Sequence, residues 1–479
     1  MKLPGVSFRH LPGLASALAL VACATVPPEI HDSGIAECRA HFLALDADTA
    51  TDGIRDAGAY RIPGFPYLRS NRFLSSFSGG LDSARFEAWV EHLRQYGLQS
   101  RQSELRNLGS DEVASELRQL DRCGAAWARR DLADPLRRLE LQRRSAVPDD
   151  YSTLQRMLGL YPLSAPFVKL GAARLQSRVA ADFAQPLDAL ASPGELIRWQ
   201  AAKAPMASAR EIAHWLVQPA PDVLGIPALS EEQWWRMAAT YAPVFWIENG
   251  GAYDRPGSIG LVNGRAELEP GEPVTYFQPG YTRFAGRVLP QLNYVMWFSE
   301  RPRQGWLDSY AGRLDGLVWR VTLGLDGMPL FYDTIHPCGC YHQVFPVQEL
   351  QQRPATDFWQ EGVQMPQVAP PGPVALRVRS ADHFVRRIVP VAEAAGESRD
   401  YQLRDYRDLL SLADGERRRS LFCADGLVCG TERGERFWLW ITGVESPGAM
   451  RQLGRHATAF VGRRHFDDAD LFERLFVAP

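Results

Sequence analysis

The apolar period of the chain changes once, at Pro243, and that change limits the folds open to it. Before it, apolar residues recur at helical spacing: Phe86, Trp89, Val90 and Leu93 form one stripe, and Val113, Leu117, Leu120 and Trp127 another. After it come short runs rich in β-branched and aromatic residues, Val244 to Glu248, Val288 to Ser299 and Leu317 to Leu323, which read as strands. Asp326-Gly327 joins the last of these to Leu330 to His336 as a hairpin, and Val374, Leu376 and Val378 alternate as a further strand. The expectation is an α+β protein: a helical N-terminal region over 23–216, a linker over 217–229 punctuated by Pro219, Pro221 and Pro227, and a β-rich α+β region over 230–479.

Local signals add detail. Ser230 and Gln233 form a capping box with Leu229 and Trp234 as its hydrophobic staple, and the helix they start must stop before Pro243. Ser192-Pro193-Gly194-Glu195 carries a similar signature and predicts another helix start. Phe437 to Thr442 reads as a buried strand, Ser446-Pro447 as the start of a helix carrying Met450, Leu453, Ala457 and Phe460, and Asp468 as the cap of a last helix.

Residues 1–22 read as a signal peptide. Lys2 and Arg9 precede the apolar stretch Leu11 to Ala22, which is too short to span a bilayer and closes on Leu20-Val21-Ala22-Cys23. That ending resembles the bacterial lipobox, which implies lipidation at Cys23 and a membrane partner held through the N-terminal lipid, at about 0.8 kcal/mol per buried CH₂. By the same resemblance, Ala24 implies the outer membrane, with a periplasm-facing body. The formal charge of −3 leaves no electrostatic footprint for nucleic acid. Only Lys2, Lys169 and Lys203 occur, none after a glycine, so a phosphate-binding P-loop is excluded.

In an oxidising compartment the other six cysteines read first as disulfides. Cys38 and Cys123 each lie on or beside an apolar helix stripe and are expected to pair. Cys423 and Cys429 flank a turn and are expected to close a local bridge, although four C-terminal cysteines allow three connectivities.

The densest chemistry is Tyr332-Asp333-Thr334-Ile335-His336-Pro337-Cys338-Gly339-Cys340-Tyr341-His342. On an extended strand His336, Cys338, Cys340 and His342 would share a face, and two imidazoles with two thiols are the ligand inventory of a zinc site. Four ligands at successive i+2 positions are too spread to reach one ion unless Pro337 and Gly339 curl the chain. A second reading makes Cys340 or Cys338 a nucleophile served by a nearby histidine, His336 or His342, as base. A third has the thiols in disulfides and the histidines packed. His383, His456 or His465 could complete the set from elsewhere. Gly339-Cys340-Tyr341-His342 resembles the Gly-Cys-x-Arg end of the L,D-transpeptidase motif, with His342 in place of Arg and the rest of that motif missing.

The strings from Gln291 to Phe298, from Leu314 to Leu323, through His342, and from Gly454 to Asp468 resemble an uncharacterised family of proteobacterial lipoproteins, which brings no established activity. The expectation is thus an outer-membrane lipoprotein acting in binding or envelope assembly, with a metal- or Cys-dependent hydrolase or transferase as the alternative.

Overall fold

A computed structural model describes residues 33–353 and 359–477; the signal segment and Cys23 lie outside the described residues. The fold is α+β. Among the described residues twelve strands join one sheet: β1 (Glu195–Ala201), β2 (Val244–Asn249), β3 (Pro256–Val262), β4 (Arg265–Glu269), β5 (Val274–Phe284), β6 (Arg287–Arg301), β7 (Gly312–Leu323), β8 (Pro329–Ile335), β9 (Gln343–Pro346), β10 (Val374–Val378), β11 (Val385–Pro390) and β12 (Glu397–Asp405). Their order is β9-β8-β7-β6-β5-β12-β1-β2-β10-β11, with β3 paired to β6 and to β4. Strand β12 splices two halves: Glu397 to Tyr401 run parallel to β1, and Gln402 to Asp405 parallel to β5.

Alternation along the strands builds the main core. Leu292, Tyr294, Met296 and Phe298 of β6 and Leu317, Trp319, Val321 and Leu323 of β7 face one side, while Val295, Trp297 and Val318 face another cluster. Phe345 of edge strand β9 and Ile388 of edge strand β11 line the same main core, so the sheet curls until its two edges approach. A segment between them completes the closure. The amide of Val344 donates to Gln364 and that of Ala369 to Pro346, while the Gln367 side chain donates to the Ile388 carbonyl at 2.7 Å and accepts from its amide at 3.3 Å. Exposed edges invite pairing with other chains, and this strap covers both.

The helices Ser33–Thr51, Ser83–Asn107 and Val113–Asp131 surround a second core. Leu224 and Ile226 of the expected linker are buried in it beside Val288 of β6, so 217–229 is a packed connection rather than a spacer. Nor does 216 separate two bodies, because β1 sits inside the sheet between β12 and β2. That strand also corrects the helix expected at Ser192: Ile197 and Trp199 are buried with period two, and a Cβ on Gly194 would lie 2.0 Å from the Asn249 carbonyl. The Ser230 capping box forms as expected, over a helix ending at Thr240.

Two further expectations fail near the C-terminus. Arg436–Leu439 and Trp440–Thr442 are short helical turns with Phe437 and Trp438 exposed, because aromatic content alone does not decide burial. No helix starts at Ser446: Gly448 and Gly454 have φ of +86° and +92°, and Met450 is buried instead on an irregular segment bonded to Val428 and Pro337. The last helix, Leu471–Leu475, begins after Asp470, while Asp468 accepts from the His465 amide.

Both expected disulfides are in place, Cys38–Cys123 with Cα atoms 5.4 Å apart and Cys423–Cys429 with 6.1 Å. The first ties Ser33–Thr51 to Val113–Asp131 across 85 residues. Replacing both of its cysteines by serine should lower the unfolding free energy by about 4–5 kcal/mol, mainly through the unfolded chain, as read by urea denaturation of the non-reduced protein.

Candidate functional site

Segments far apart in sequence converge on one carboxylate at the start of β7. Asp315 is fully buried. His383 places Nδ1 2.9 Å from its Oδ2, Arg433 donates from Nη2 at 3.3 Å to Oδ1, and His336 Nδ1 lies 3.5 Å from the same oxygen, an ion-pair distance rather than a hydrogen bond. On its other side His383 has Nε2 3.3 Å from Asp254 Oδ1 and 3.2 Å from the Tyr253 carbonyl. Asp254 in turn accepts from the Ala381 amide and the Ser380 hydroxyl, both at 2.7 Å, and from the amides of Gly250 and Gly251. Phe298 stacks flat on the His383 ring, centroids 3.8 Å apart.

The charges follow from this arrangement. Burial alone would strip the proton from His383, but its hydrogen bonds and attraction to Asp254 and Asp315 outweigh burial and hold it up to about 9. Burial would likewise neutralise Asp315; Arg433, His336 and His383 instead hold it well below the usual carboxylate range. Burial dominates at His336 and pushes it down, leaving a neutral ring. Two anions, Asp254 and Asp315, therefore face two cations, His383 and Arg433, in a dry site that needs such balance. Leu314, Tyr341, Ala381 and His383, in the converging segments, all have φ between +50° and +70°, a costly region for residues with a Cβ.

The loop after β8 carries two thiols at the margin of this cluster. Cys338 is buried, Cys340 is partly exposed, and neither is in a disulfide. The loop folds back on itself: the His336 amide donates to the Cys340 carbonyl at 3.0 Å and the Gly339 amide to the His336 carbonyl at 2.8 Å. Gly339 has φ of +90°, and a Cβ there would sit 2.4 Å from the Ala457 carbonyl. The Pro337 carbonyl is held by the Arg451 amide and faces His456 Nε2 at 3.0 Å. The neighbouring Cys340 and Arg433 draw Cys338 below the usual thiol range, while Cys338 and burial push Cys340 up. Burial raises nearby Glu435 to about 7.

His342 turns away from this group. Its Nε2 lies 3.1 Å from Asp333 Oδ2, and both Asp333 oxygens also receive Arg320, whose Nη1 reaches the Phe466 carbonyl at 2.6 Å. His336 and His342 thus serve different carboxylates, Asp315 and Asp333, and the shared face expected for the four residues is broken by the reversal at Pro337 to Gly339. Among the described residues no three His, Cys, Asp or Glu side chains are grouped as metal ligands, so His336, Cys338, Cys340 and His342 do not form the expected zinc set. Neither ring is hydrogen-bonded to Cys340: the His336 nitrogens and His342 Nδ1 have no hydrogen-bond partner, and His342 Nε2 is taken by Asp333.

Of the three outlying histidines, His383 joins the cluster; His465 lies against Asp150 and Asp468. Asp254 stands out in the sequence only as a turn carboxylate paired with Glu248 across Asn249 to Gly251, and Asp315, Arg433 and Glu435 do not stand out as site residues. The one sequence signal for them is Asp315 itself, a lone carboxylate opening the apolar run Leu314 to Leu323, much as Asp333 and Arg320 stand alone in neighbouring strands.

Asp315→Asn should destabilise the protein by about 3–5 kcal/mol, because Arg433 and His383 then lose a buried counter-charge. His383 has a folded value raised above 6.5, so its contribution is full below about pH 6.5 and disappears as pH rises through about 9. The melting temperature should therefore fall across pH 6.5 to 9.5 in the wild type, and the slope should flatten in His383→Gln. Comparison with protein families, with characterised proteins and with solved structures finds no match, so the functional reading rests on these residues.

Proposed function

We propose that the protein is a lipid-anchored outer-membrane lipoprotein, facing the periplasm, that acts in binding or envelope assembly with its body laid against an anionic lipid surface. One observation supports this reading above the others. Along the helices Thr153–Leu158 and Tyr161–Ala184, Leu154, Met157, Leu158, Leu160, Leu163, Phe167 and Leu170 are each more than half exposed. The 24-residue helix buries only Ala165, Val179 and Phe183. Such a continuous apolar face is uncommon on a body that meets only water.

Its charge has one sign. From Tyr151 to Ala181 there is no Asp or Glu, whereas Lys169, Arg174 and Arg178 occur along the long helix. Apolar side chains with basic neighbours suit a helix lying in the headgroup region of a membrane. No helix among the described residues is long and apolar enough to cross a bilayer. The lipid expected at Cys23 would supply a second attachment, and two weak attachments together hold far more firmly than one.

A second reading, a periplasmic Cys-dependent hydrolase or transferase, is favoured by the free thiol of Cys340 beside strained backbone. Against it, neither His336 nor His342 hydrogen-bonds to a thiol.

Labelled palmitate should enter the wild type and not Cys23→Ser. The unlipidated Cys23→Ser body should still sediment with phosphatidylethanolamine vesicles containing phosphatidylglycerol, and Leu163→Glu with Phe167→Glu should reduce that binding roughly tenfold or more. Equal sedimentation of the two forms would remove the lipid-surface reading, and label in Cys23→Ser would remove the anchor.

A further inference from the structure

Four of the six cysteines after Cys23 are spent in two disulfides, and the remaining two stand one residue apart on a loop that serves neither a metal nor a base. On a regular strand, residues i and i+2 are about 6.6 Å apart with parallel Cβ directions. A loop reversed by backbone hydrogen bonds departs from that spacing and direction. Here the paired bonds between His336, Gly339 and Cys340 make that fold, with Gly339 in a conformation open to glycine and Tyr341 strained behind it. The loop is also braced from outside. Pro337 is held by Arg451, and that strip, Met450 to Gln452, receives the Val428 amide and donates to Gly426 inside the Cys423–Cys429 loop.

We propose that Cys338 and Cys340 form a redox-active dithiol that exchanges with accessible disulfides, Cys340 attacking and Cys338 resolving. The roles follow from access. Cys340 is partly exposed and can reach an incoming sulfur, whereas Cys338 is 5% exposed and can reach only its neighbour. In the first step the Cys340 sulfur bonds to one sulfur of a disulfide RS–SR′ as its proton passes to the Cys338 thiolate, and R′S⁻ leaves carrying the bond's electron pair. In the second, the Cys338 thiolate attacks the Cys340 sulfur and expels RS⁻. The two protons from the cysteines end on the two leaving thiols. The balance is one dithiol and one external disulfide giving one internal disulfide and two thiols, so the external disulfide is the oxidant. The reverse reaction donates a disulfide to a dithiol. Arg433, close enough to draw on the Cys338 charge, supplies a fixed positive group beside the pair. The site is separate from the apolar helix face, and the proposal goes beyond the membrane reading without resting on it.

The test is a redox titration of the full chain under native conditions in dithiothreitol buffers of stepped composition, followed by alkylation and peptide mass spectrometry. The expected result is a Cys338–Cys340 disulfide that forms and reverts while Cys38–Cys123 stays closed. Cys338→Ser should trap a mixed disulfide on Cys340 with glutathione disulfide or with a disulfide-linked peptide, and the faster of the two identifies the source. Cys340→Ser should react at least roughly tenfold more slowly. The proposal is overturned if both thiols stay reduced throughout the wild-type series, if their disulfide opens only in denaturant, or if Cys338 traps the reagent as fast as Cys340. The wild-type titration decides even where a variant fails to fold.

Discussion

A carboxylate held dry at the head of a β-sheet requires countercharge at fixed positions, and Asp315 makes that demand on most of the chain's second half. Its partners arrive from the loop after β8, from the turn between β10 and β11, and from Arg433 more than a hundred residues onward. Because His383 also leans on Asp254, the turn after β2 is drawn into the same unit. Removing Asp315 leaves the buried cations His383 and Arg433 short of a counter-charge, which costs far more than an exposed pair would contribute. The strained backbone at Leu314, Tyr341, Ala381 and His383 persists because this charge geometry overdetermines it.

The sheet supplies the rigidity on which that unit stands. Its curl places both edges on a single core, and the Gln364 to Ala369 segment satisfies backbone groups on each edge. A second buried ion group, Asp333 with Arg320 and His342, locks β7 to β8 on the opposite face from the Tyr332 and Trp319 stack. The loop between His336 and His342 is therefore held at one end by the His336 amide on the Cys340 carbonyl and at the other by Asp333 on His342. The two thiols ride on a segment with little freedom to move apart.

Chemistry and surface are arranged at different places on the molecule. The charged cluster is closed to solvent, and Cys340 is its partly open margin. The long helix Tyr161–Ala184 runs outside the core, attached near its end where Asp182 meets Arg379 and Arg386 and where Phe183 packs on Phe345. An apolar, positively charged face held at such an anchor is suited to a surface that is itself apolar and negative.

Much of the architecture was legible because it depends on short-range periodicity and composition. The change of period at Pro243, the strands at Val244, Val288 and Leu317 and the Ser230 capping box follow from spacing within a few residues, and both disulfide pairs from cysteines placed beside apolar helix stripes or around a turn. Where local signals conflicted, tertiary packing decided. Ser192 to Glu195 has the pattern of a helix start, yet the close approach of Gly194 to Asn249 and the burial of Ile197 and Trp199 make it a strand. The Cys/His segment could be singled out from sequence, but not its division between Asp315 and Asp333, because which carboxylate reaches an imidazole depends on strand register across a sheet that sequence distance does not encode. Composition likewise identified aromatic and apolar residues without saying that Phe167 and Trp438 face outward, since burial belongs to the packed whole rather than to the residue.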